Sequence, residues 1–371
     1  MPSVEVHDLI ILGGGISGLG VAREAARRGL KTVLLEARTC CGGTSNNTLR
    51  IIHGGFRYLQ NGDLPRVCKS LLDQKAILKE APDAVAPLPC VMPLARFGLK
   101  SRFPVSCANL LYGALMRLSG SPLKAPHILS SAAVDSSIPL LRGLAPHGAL
   151  CWYDAMMLEP EKVTETLLRQ IASGPVSILE NTAAVRVELH GEVYEVHDST
   201  GGVRRARAVV NTLGPWLSSV QLPHELVGTR PRWCKGFNIT ISRQLDPKHG
   251  IGAESRDGRL LFCVPRGVGT AIGTWYTALP NNSTEATASG DEIEKLIQAF
   301  NAALPGANVR SSEVIGVDVG VLPMLADSPR GPQLIAHERL HSQRGYIEVL
   351  STKYTTFRSQ ARRVVRLLPA Q

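Results

Sequence analysis

The sequence lacks the long apolar runs that place a chain across a membrane. No stretch reaches about 18 uncharged apolar residues, so no transmembrane helix is predicted. The N-terminus, MPSVEVHDLI, has no basic segment followed by an apolar one, which is the pattern of a signal peptide. We therefore expect a cytoplasmic protein whose eight cysteines are free thiols in a reducing compartment.

Cysteine and histidine are not arranged to hold a metal. No CxxC pair occurs, and no group of these residues has the spacing of a zinc site, so no metal is predicted. A redox role for the adjacent Cys40 and Cys41 is the alternative to plain free thiols.

Charged residues are sparse, at 19%, and aromatic residues make up only 5%. The hydrophobic fraction of 44% excludes a disordered chain. The net charge of +10 is spread along the sequence, with no block of like charges and no basic and aromatic RNA-binding signature. These absences predict no nucleic-acid partner, and a cofactor carrying phosphates is the simpler explanation of the basic balance.

What is present begins at the N-terminus with a strand, a glycine-rich turn, a helix and a second strand. Residues 8–12, DLIIL, form a short apolar run that is typical of a buried parallel strand. Helical periodicity follows over residues 16–29, and residues 31–35, KTVLL, form a second apolar run. The pattern predicts a βαβ unit.

The turn of this unit carries a GxGxxG motif. Gly13 permits the tight turn, Gly15 lets the backbone approach a pyrophosphate, and Gly18 lets the helix pack against the strand. The phosphates are expected at the helix N-terminus, where free N–H groups face them. Glu36 ends the second strand, at the distance that suits a ribose hydroxyl. The context predicts a dinucleotide site.

The following segment favours FAD over NAD. Residues 41–48, CGGTSNNT, form a small polar loop whose Thr44 and Ser45 can wrap the pyrophosphate and reach toward the isoalloxazine ring. Together, DLIILGGGISGLGVAREAARRGLKTVLLEA and GTSNNTLRIIHGGFRYLQ resemble the N-terminus of the FAD-dependent glycerol-3-phosphate dehydrogenase family. That family belongs to the larger D-amino-acid-oxidase-like group of flavoproteins.

The resemblance implies an α/β fold, in which an FAD-binding Rossmann-like domain is interleaved with an α+β substrate domain. The FAD-binding domain is expected to be discontinuous, over residues 1–65, 150–216 and 311–371. The substrate or cap domain is expected over residues 66–149 and 217–310. The helical C-terminal domain of full-length family members is expected to be absent.

The resemblance also implies site residues. In HGGFRYL, His53 is the expected base for a substrate hydroxyl, Arg57 the expected anion-binding residue, and Tyr58 a pocket residue. Lys353 is expected beside the flavin or substrate, and Thr355 beside the cofactor or as a helix cap. The alternatives are a histidine satisfied by backbone, a surface ion pair and a solvated lysine.

Further positions follow from the same likeness. Val185 is expected to place a backbone group near the adenine, and Gly214 lies in VNTLGPW, which is similar to the family's VNATGPW. Leu322 and His337 stand where the family has substrate arginines. These departures predict partly lost phosphate recognition, with His337 as a substrate contact.

The resemblance implies an FAD-dependent oxidoreductase that oxidises a secondary alcohol of a small anionic substrate by hydride transfer. An amine or amino-acid oxidase of the same group, and a non-catalytic flavin-binding paralogue, are the alternatives. The electron acceptor, a quinone, oxygen or a soluble carrier, stays open. Residues 103–118, FPVSCANLLYGALMRL, predict either an interfacial helix on anionic lipid or a partly buried helix.

Overall fold

A computed structural model of the chain describes residues 5–280, 283–284 and 286–369. In chain order the strands are β1 (Val6–Leu12), β2 (Thr32–Leu35), β3 (Ile51–Ile52), β4 (Val85–Pro93), β5 (His127–Leu129), β6 (Ala149–Met157), β7 (Val176–Leu179), β8 (Ala184–His190), β9 (Val193–Asp198), β10 (Val203–Asn211), β11 (Arg232–Ile241), β12 (Gly250–Glu254), β13 (Leu260–Arg266), β14 (Gly269–Ala278), β15 (Val314–Ala326), β16 (Gln333–Leu334), β17 (Arg339–Gln343) and β18 (Tyr346–Leu350). The helices are α1 (Ile16–Arg27), α2 (Leu64–Glu80), α3 (Arg102–Ser119), α4 (Ser131–Ser137), α5 (Pro160–Ile171), α6 (Gly290–Ala303) and α7 (Phe357–Arg366).

The first sheet has the order β17-β18-β10-β1-β2-β7, and β8 and β9 extend it beside β10. Its central strands run parallel: β1 pairs with both β10 and β2, β10 with β18, and β2 with β7. Their carboxyl ends therefore meet at one edge of the sheet, which is where ligands bind in open parallel sheets. The chain leaves this edge at Gly13, Glu36, Thr212 and Ser351.

Helices α1 and α7 pack together on one face of this sheet because small residues allow a close approach. A Cβ atom on Gly20 would lie 2.8 Å from the Phe357 ring. Buried charges also join these helices to α2. The Glu80 carboxylate accepts hydrogen bonds from Arg23, at 2.8 Å, and from Arg358. The positions of α1 and α7, which flank the carboxyl edge, are thereby fixed to each other.

The second sheet has the order β16-β15-β11-β14-β13-β12-β4-β6-β3, with β5 beside β6. Strands β3, β6 and β15 belong to this sheet, and nearly all of their residues lie in the ranges 1–65, 150–216 and 311–371 that are expected for the FAD-binding domain. An apolar strand pattern reports burial but not the sheet in which the strand pairs. These three strands carry the chain from the carboxyl edge of the first sheet into the second.

Two further details of the elements bear on the cavity wall. Residues 185–196 form two strands of a hairpin, β8 and β9, which turn at Gly191 with φ of +65°. The last helix begins at Phe357, so the segment Ser351–Thr356 is a loop before it. An alternating stretch with one glycine does not reveal the reversal of direction, because glycine also occurs inside strands.

Helix α3 leaves much of its apolar surface exposed. Phe103, Leu110 and Leu118 have exposed fractions of 79%, 78% and 85%, while Val105, Tyr112 and Met116 face the core. Among the described residues, no helix combines the length and the hydropathy that crossing a bilayer requires.

Candidate active site

A cavity of about 670 Å³ runs from the carboxyl edge of the first sheet to the second sheet. This volume lies in the range of small-molecule and cofactor sites. Of the predicted residues, those that line the cavity are Gly13, Gly15, Glu36, Thr44, Ser45, His53, Gly214, Lys353 and Thr355. Residues distant in the sequence are thus brought to one continuous surface.

The glycine turn has the geometry that its motif predicts. Gly13 has a φ of +94°, a backbone conformation that residues with a side chain rarely adopt. A Cβ atom on Gly18 would lie 1.9 Å from the Gly13 carbonyl oxygen and 2.8 Å from Thr212 Oγ1. Only glycine therefore lets α1 start this close to β1, and the N-terminus of α1 opens toward the cavity.

Glu36 lies at the end of β2, at the cavity wall. Its Oε2 atom accepts a hydrogen bond from the Gly14 N–H at 2.7 Å, and its Oε1 atom accepts one from the Arg38 N–H at 2.9 Å. A carboxylate has about four acceptor positions, so two remain for hydroxyl groups of a ligand. The arrangement suits the ribose contact that the sequence predicts.

The polar loop after β2 is fixed at both sides of the cavity. Ser45 Oγ accepts a hydrogen bond from the Ile16 N–H at 3.0 Å, which ties the loop to the start of α1. Thr44 Oγ1 accepts from the Val321 N–H at 3.2 Å and lies 3.3 Å from the Val321 carbonyl oxygen. The loop therefore bridges the first sheet to β15 of the second sheet.

At the end of the cavity near the glycine turn, the residues that line the opposite wall differ by one position from the sequence prediction. Ala183 and Ala184 line the cavity, whereas Val185, expected beside the adenine, is outside the lining and 43% exposed. The Val185 carbonyl oxygen accepts a hydrogen bond from the Gln221 N–H, so it is already occupied. Sequence spacing could not locate where β8 departs from the wall.

The donor and acceptor set of this end fits an extended dinucleotide. The open helix N-terminus suits a pyrophosphate, and the Glu36 carboxylate suits a ribose. Gly15 leaves space at the turn, since the nearest neighbour to a Cβ atom there would be Ser45 Oγ at 3.3 Å. The length of the cavity beyond this end leaves room for a ring system against β15 and the loop that carries Lys353.

His53 lies at the far end of the cavity, and its imidazole is held from behind. Its Nδ1 atom is 2.9 Å from Asp154 Oδ2, and its backbone N–H donates to Thr355 Oγ1 at 3.1 Å. Asp154 is 2% exposed, whereas the His53 side chain is 40% exposed. The Nε2 atom has no hydrogen-bond partner among the residues described. The ring can therefore exchange a proton with a ligand.

Lys353 lies in the loop before α7 and, like His53, lines the cavity. Burial, together with the positive charges of Arg66 and Arg57, lowers the pKa of Lys353 to about 8. Thr355 contacts the His53 backbone rather than capping α7, and the N-cap residue Thr356 makes no side-chain cap bond. Lys353 is half-buried in the cavity wall, four residues before the start of α7, rather than at a solvated helix start.

Arg57 and Tyr58 lie next to the cavity rather than in its wall. The Arg66 guanidinium stacks over the Tyr58 ring at 3.9 Å from the ring centroid. Neither arginine has an ion-pair partner in the part of the chain that the structure describes, which removes the interpretation of Arg57 as a surface salt bridge. Arg57, Arg66 and Lys353 together make this end strongly positive.

His337 lies at the outer rim of the same region. Its side chain is 63% exposed, and Nε2 is 3.2 Å from Asp63 Oδ2. Asp63 also caps α2, accepting a hydrogen bond from the Arg66 N–H. The structure therefore places His337 near the arginine-bearing helix but outside the cavity lining, so a direct substrate contact stays a prediction.

Several site residues escaped the sequence reasoning. Asn238 is 2% exposed, lines the cavity and accepts a hydrogen bond from Thr274 Oγ1 at 2.7 Å. Tyr276 lies on the same wall, and its hydroxyl bonds to Thr274. Asp154 and Arg66 complete the set. Strands β11 and β14 carry no local motif that marks a site, which is why their residues were not predicted.

The surroundings of Cys40 and Cys41 do not favour redox chemistry, and those of one acidic group on the β8–β9 hairpin do not favour metal binding. Burial and Glu180 raise the pKa of Cys40, and burial raises the pKa of Cys41 to about 11, so thiolates are disfavoured. Glu188, His190 and Glu195 place ligand atoms within 4.8 Å on the β8–β9 hairpin, but two of the three are only half-buried and such surface groupings are common without a metal.

Comparison with known proteins places this cavity in a family. A family model described as FAD dependent oxidoreductase matches residues 8–348. An aerobic glycerol-3-phosphate dehydrogenase from Staphylococcus haemolyticus is 26% identical over 387 residues, covering 98% of this chain and 67% of that protein. The chain thus spans about two thirds of that relative's length.

Solved structures show the same fold. The dithionite-reduced L-alpha-glycerophosphate oxidase from Mycoplasma pneumoniae with FAD bound matches with a TM-score of 0.74 at 15% identity, covering 98% of this chain and 95% of that one. Glycine oxidase from Geobacillus kaustophilus matches with a TM-score of 0.69 at 17% identity, covering 97% and 94%. At these identities the likeness shows the fold alone. From the family match over residues 8–348, the chain belongs to the FAD dependent oxidoreductase family and is an oxidoreductase with FAD as its cofactor.

Proposed function

We propose that the protein oxidises a secondary alcohol of a small anionic substrate to a ketone. Two observations on the described residues support this proposal. The cavity is lined by a histidine whose Nε2 has no hydrogen-bond partner among them, and by a lysine that lies close to two arginines, all three without a carboxylate ion-pair partner among the same residues. His53 is the base, and Lys353, Arg57 and Arg66 are the cations. A carboxylate or phosphate group of the substrate would complete this positive end.

Each of these residues has a separate role in such a reaction. When bound, FAD supplies a two-electron acceptor that takes a hydride from the substrate carbon. His53 Nε2 takes the hydroxyl proton, while Lys353 holds negative charge near the flavin or the substrate. Arg57 and Arg66 orient the anionic group. Leu322 lines the cavity where the resembled family has an arginine, so this chain is proposed to use Arg66 in part for that contact.

The direct test is anaerobic bleaching of the visible flavin band of the purified holoenzyme. Glycerol 3-phosphate is compared with glycerol, short hydroxy acids and amino acids. We expect an anionic hydroxy compound to bleach the flavin, and Arg66→Gln to raise its KM by at least tenfold. Bleaching by uncharged glycerol alone would exclude the anion site. Failure of every compound would favour a non-catalytic flavoprotein.

An amine or amino-acid oxidase is the second candidate. The likeness in fold to glycine oxidase favours it, as does the apolar Leu322 in the cavity wall. This reaction would produce hydrogen peroxide from an amino acid under air, whereas the alcohol reaction would leave amino acids unchanged. Peroxide formation with glycine or another amino acid, without bleaching by hydroxy compounds, decides for this candidate.

We also propose that α3 and the loop before it contact an anionic lipid surface. Phe97 and Leu99, in the loop before α3, are 75% and 72% exposed, and Leu110 and Leu118 of α3 are similarly exposed. The surrounding basic residues are Arg96, Lys100, Arg102, Arg117 and Lys124. Apolar residues beside cations suit the boundary between acyl chains and anionic headgroups.

Vesicle sedimentation tests this surface. The protein should bind vesicles with anionic lipid more strongly than neutral vesicles, and the variant with Phe103→Ser and Leu110→Ser should lose this binding. Val268→Ser is the control, because Val268 is 85% exposed outside this surface. Equal binding of all variants would exclude the contact. Contact with a lipid surface would bring the protein close to a membrane quinone as electron acceptor. Measuring the rate at which the reduced flavin is reoxidised by a quinone, by oxygen and by a soluble carrier distinguishes the three acceptors.

A further inference from the structure

We propose that Asp154 is a positioning residue that fixes the proton of neutral His53 on Nδ1 and so presents an unprotonated Nε2 to the substrate. The inference rests on the proposed role of His53 as the base. Asp154 lies at the end of the CWYD segment in β6, and it does not line the cavity. It therefore acts only through the histidine.

The surroundings of Asp154 permit it only to accept hydrogen bonds. Its Oδ1 atom accepts from the Gly54 N–H at 2.7 Å. Its Oδ2 atom accepts from the Trp152 indole N–H at 3.1 Å and lies 2.9 Å from His53 Nδ1. A backbone amide and an indole are donors in every protonation state, so the carboxylate is surrounded by N–H groups.

This arrangement determines the tautomer of His53. A neutral imidazole carries one N–H, and the carboxylate oxygen at 2.9 Å requires it on Nδ1. The lone pair is then on Nε2, at the side of the ring that faces the cavity. As the hydroxyl proton moves to Nε2, a hydride leaves the carbon for the flavin and the C–O bond becomes a carbonyl. The substrate is oxidised by two electrons and the flavin is reduced by two.

The backbone of His53 and Gly54 is held tightly enough to preserve this geometry. A Cβ atom on Gly54 would lie 2.2 Å from the Tyr112 hydroxyl and 3.0 Å from Gln74 Oε1, so no side chain fits there. Gln74 also donates to the Ile52 carbonyl oxygen at 2.7 Å. This close packing holds the Gly54 N–H within hydrogen-bond distance of Asp154 and keeps the His53 imidazole next to the same carboxylate.

The variant Asp154→Asn tests the inference because it is nearly isosteric. The amide oxygen can keep the short bond from the Gly54 N–H at the position of Oδ1. The amide NH2 then takes the position of Oδ2, where it loses the bond from the Trp152 indole N–H and donates to His53 Nδ1. Nδ1 would lose its proton and Nε2 would carry one, so the base would be blocked. We expect the flavin reduction rate of the holoenzyme to fall by about 10²- to 10⁴-fold, the usual contribution of a general base. FAD should remain bound.

Nitrogen-15 NMR of histidine-labelled holoenzyme reads the tautomer without any substrate. His53→Asn assigns the signal. The wild type should show the Nδ1–H tautomer of neutral His53, and Asp154→Asn should show the Nε2–H tautomer. An Nε2–H tautomer in the wild type overturns the inference by itself, even where the variant does not fold.

Two controls separate positioning from a structural role. In a His53→Asn background, Asp154→Asn should cause no further loss of rate, whereas a merely structural role would lower the rate again. Asp246→Asn is the matched variant, since Asp246 is 5% exposed and pairs with His249 Nδ1 at 3.1 Å outside the cavity. It should leave the flavin reduction rate unchanged. A loss as large as that of Asp154→Asn would contradict the inference.

Failure of the proposed function would look different. If no hydroxy compound reduces the wild-type flavin, the alcohol reaction is wrong, and the tautomer measurement still decides whether Asp154 orients His53. If the substrate reduces the flavin and Asp154→Asn reduces it at the same rate, the proposed function stands and the inference fails.

Discussion

At the scale of single residues, the crowding of positive charge around Lys353 has a consequence that depends on pH. Burial and the guanidinium groups of Arg66 and Arg57 lower the pKa of Lys353 from 10.5 to about 8. Lys353 therefore becomes neutral as pH rises through about 8, whereas the two arginines keep their charge. A bound anion therefore loses the positive charge of Lys353 over a pH range in which most lysines stay charged.

We expect the KM for an anionic substrate to rise between pH 7 and pH 9, which are roughly one unit to either side of this pKa. Lys353→Arg keeps its charge and should remove this rise, while Lys353→Met should have a high KM at every pH. Stopped-flow flavin reduction at several pH values measures the effect. A wild-type profile that matches Lys353→Arg would show that Lys353 does not titrate there.

The same pKa affects stability with a defined sign. The unfolded chain binds the Lys353 proton up to about pH 10.5, whereas the folded chain releases it near pH 8. The unfolded state thus holds more protons in this window, so this lysine makes the free energy of unfolding rise with pH from about 8 to 10.5. Urea unfolding of the wild type and of Lys353→Met compares the slopes, and equal slopes would contradict the sign.

Gly18 is the position at which one methyl group should disturb cofactor binding most. In Gly18→Ala the Cβ atom would lie 1.9 Å from the Gly13 carbonyl oxygen, so α1 must move away from β1. Overpacking of this kind costs about 1–3 kcal/mol, and we expect FAD to bind at least tenfold more weakly. Flavin fluorescence titration measures the Kd.

Gly113→Ala is the control for this variant. A Cβ atom there would meet nothing within 4 Å, and Gly113 lies inside α3, far from the glycine turn in sequence. Alanine in a helix interior should raise stability by up to about 1 kcal/mol and leave the FAD Kd unchanged. Equal Kd values for both variants would mean that the close approach at Gly18 does not shape the phosphate site.

At the scale of elements, Glu80 joins α2 to the two helices, α1 and α7, that pack on one face of the first sheet. It lies at the end of α2 and pairs with Arg23 of α1, at 2.8 Å, and with Arg358 of α7. Both arginine side chains are nearly buried, at 10% and 9% exposure. Loss of the carboxylate would leave two buried cations close to each other, which is more costly than the loss of an exposed ion pair.

Glu80→Gln should therefore lower the free energy of unfolding by about 1–3 kcal/mol, the range for buried groups that lose a charged partner. Glu159→Gln breaks an exposed pair with Lys162 and should cost less than about 1 kcal/mol. Urea denaturation of the two variants measures the difference. If the two losses are equal, the helices are held by apolar packing rather than by Glu80.

At the scale of the whole molecule, the cavity is lined by residues of both sheets. Strand β15 and the loop 41–48 line it on one side and the edge of the first sheet on the other. FAD binding should therefore couple the two sheets. At 100 times the Kd, bound cofactor adds about 2.7 kcal/mol to the stability of the folded state.

Removal of FAD should lower the unfolding midpoint and restoring it should recover the midpoint in a concentration-dependent way. Thermal unfolding of apoprotein and holoprotein by circular dichroism measures this change. Gly18→Ala should show a smaller rise on adding the same concentration of FAD. An apoprotein as stable as the holoprotein at this FAD concentration would mean that FAD does not bind preferentially to the folded state.

The βαβ unit and the residues of its turn could be predicted from the amino-acid order alone. The apolar runs, the helical period and the spacing of Gly13, Gly15 and Gly18 are local, so they are legible within about thirty residues. The same holds for Glu36, and for His53 and Lys353, whose motifs carried the likeness to a known family. The family model over residues 8–348 confirms the FAD and fold predictions.

The strands that share a sheet, and the side chains that share the cavity, became evident from the folded chain and not from its sequence. Strands β6 and β15 pair in the second sheet, the wall includes Ala184 instead of Val185, and Asp154 lies behind a histidine that precedes it by about a hundred residues. Pairing and hydrogen bonding across such separations depend on the register of whole strands, and residue spacing along one strand does not contain that register.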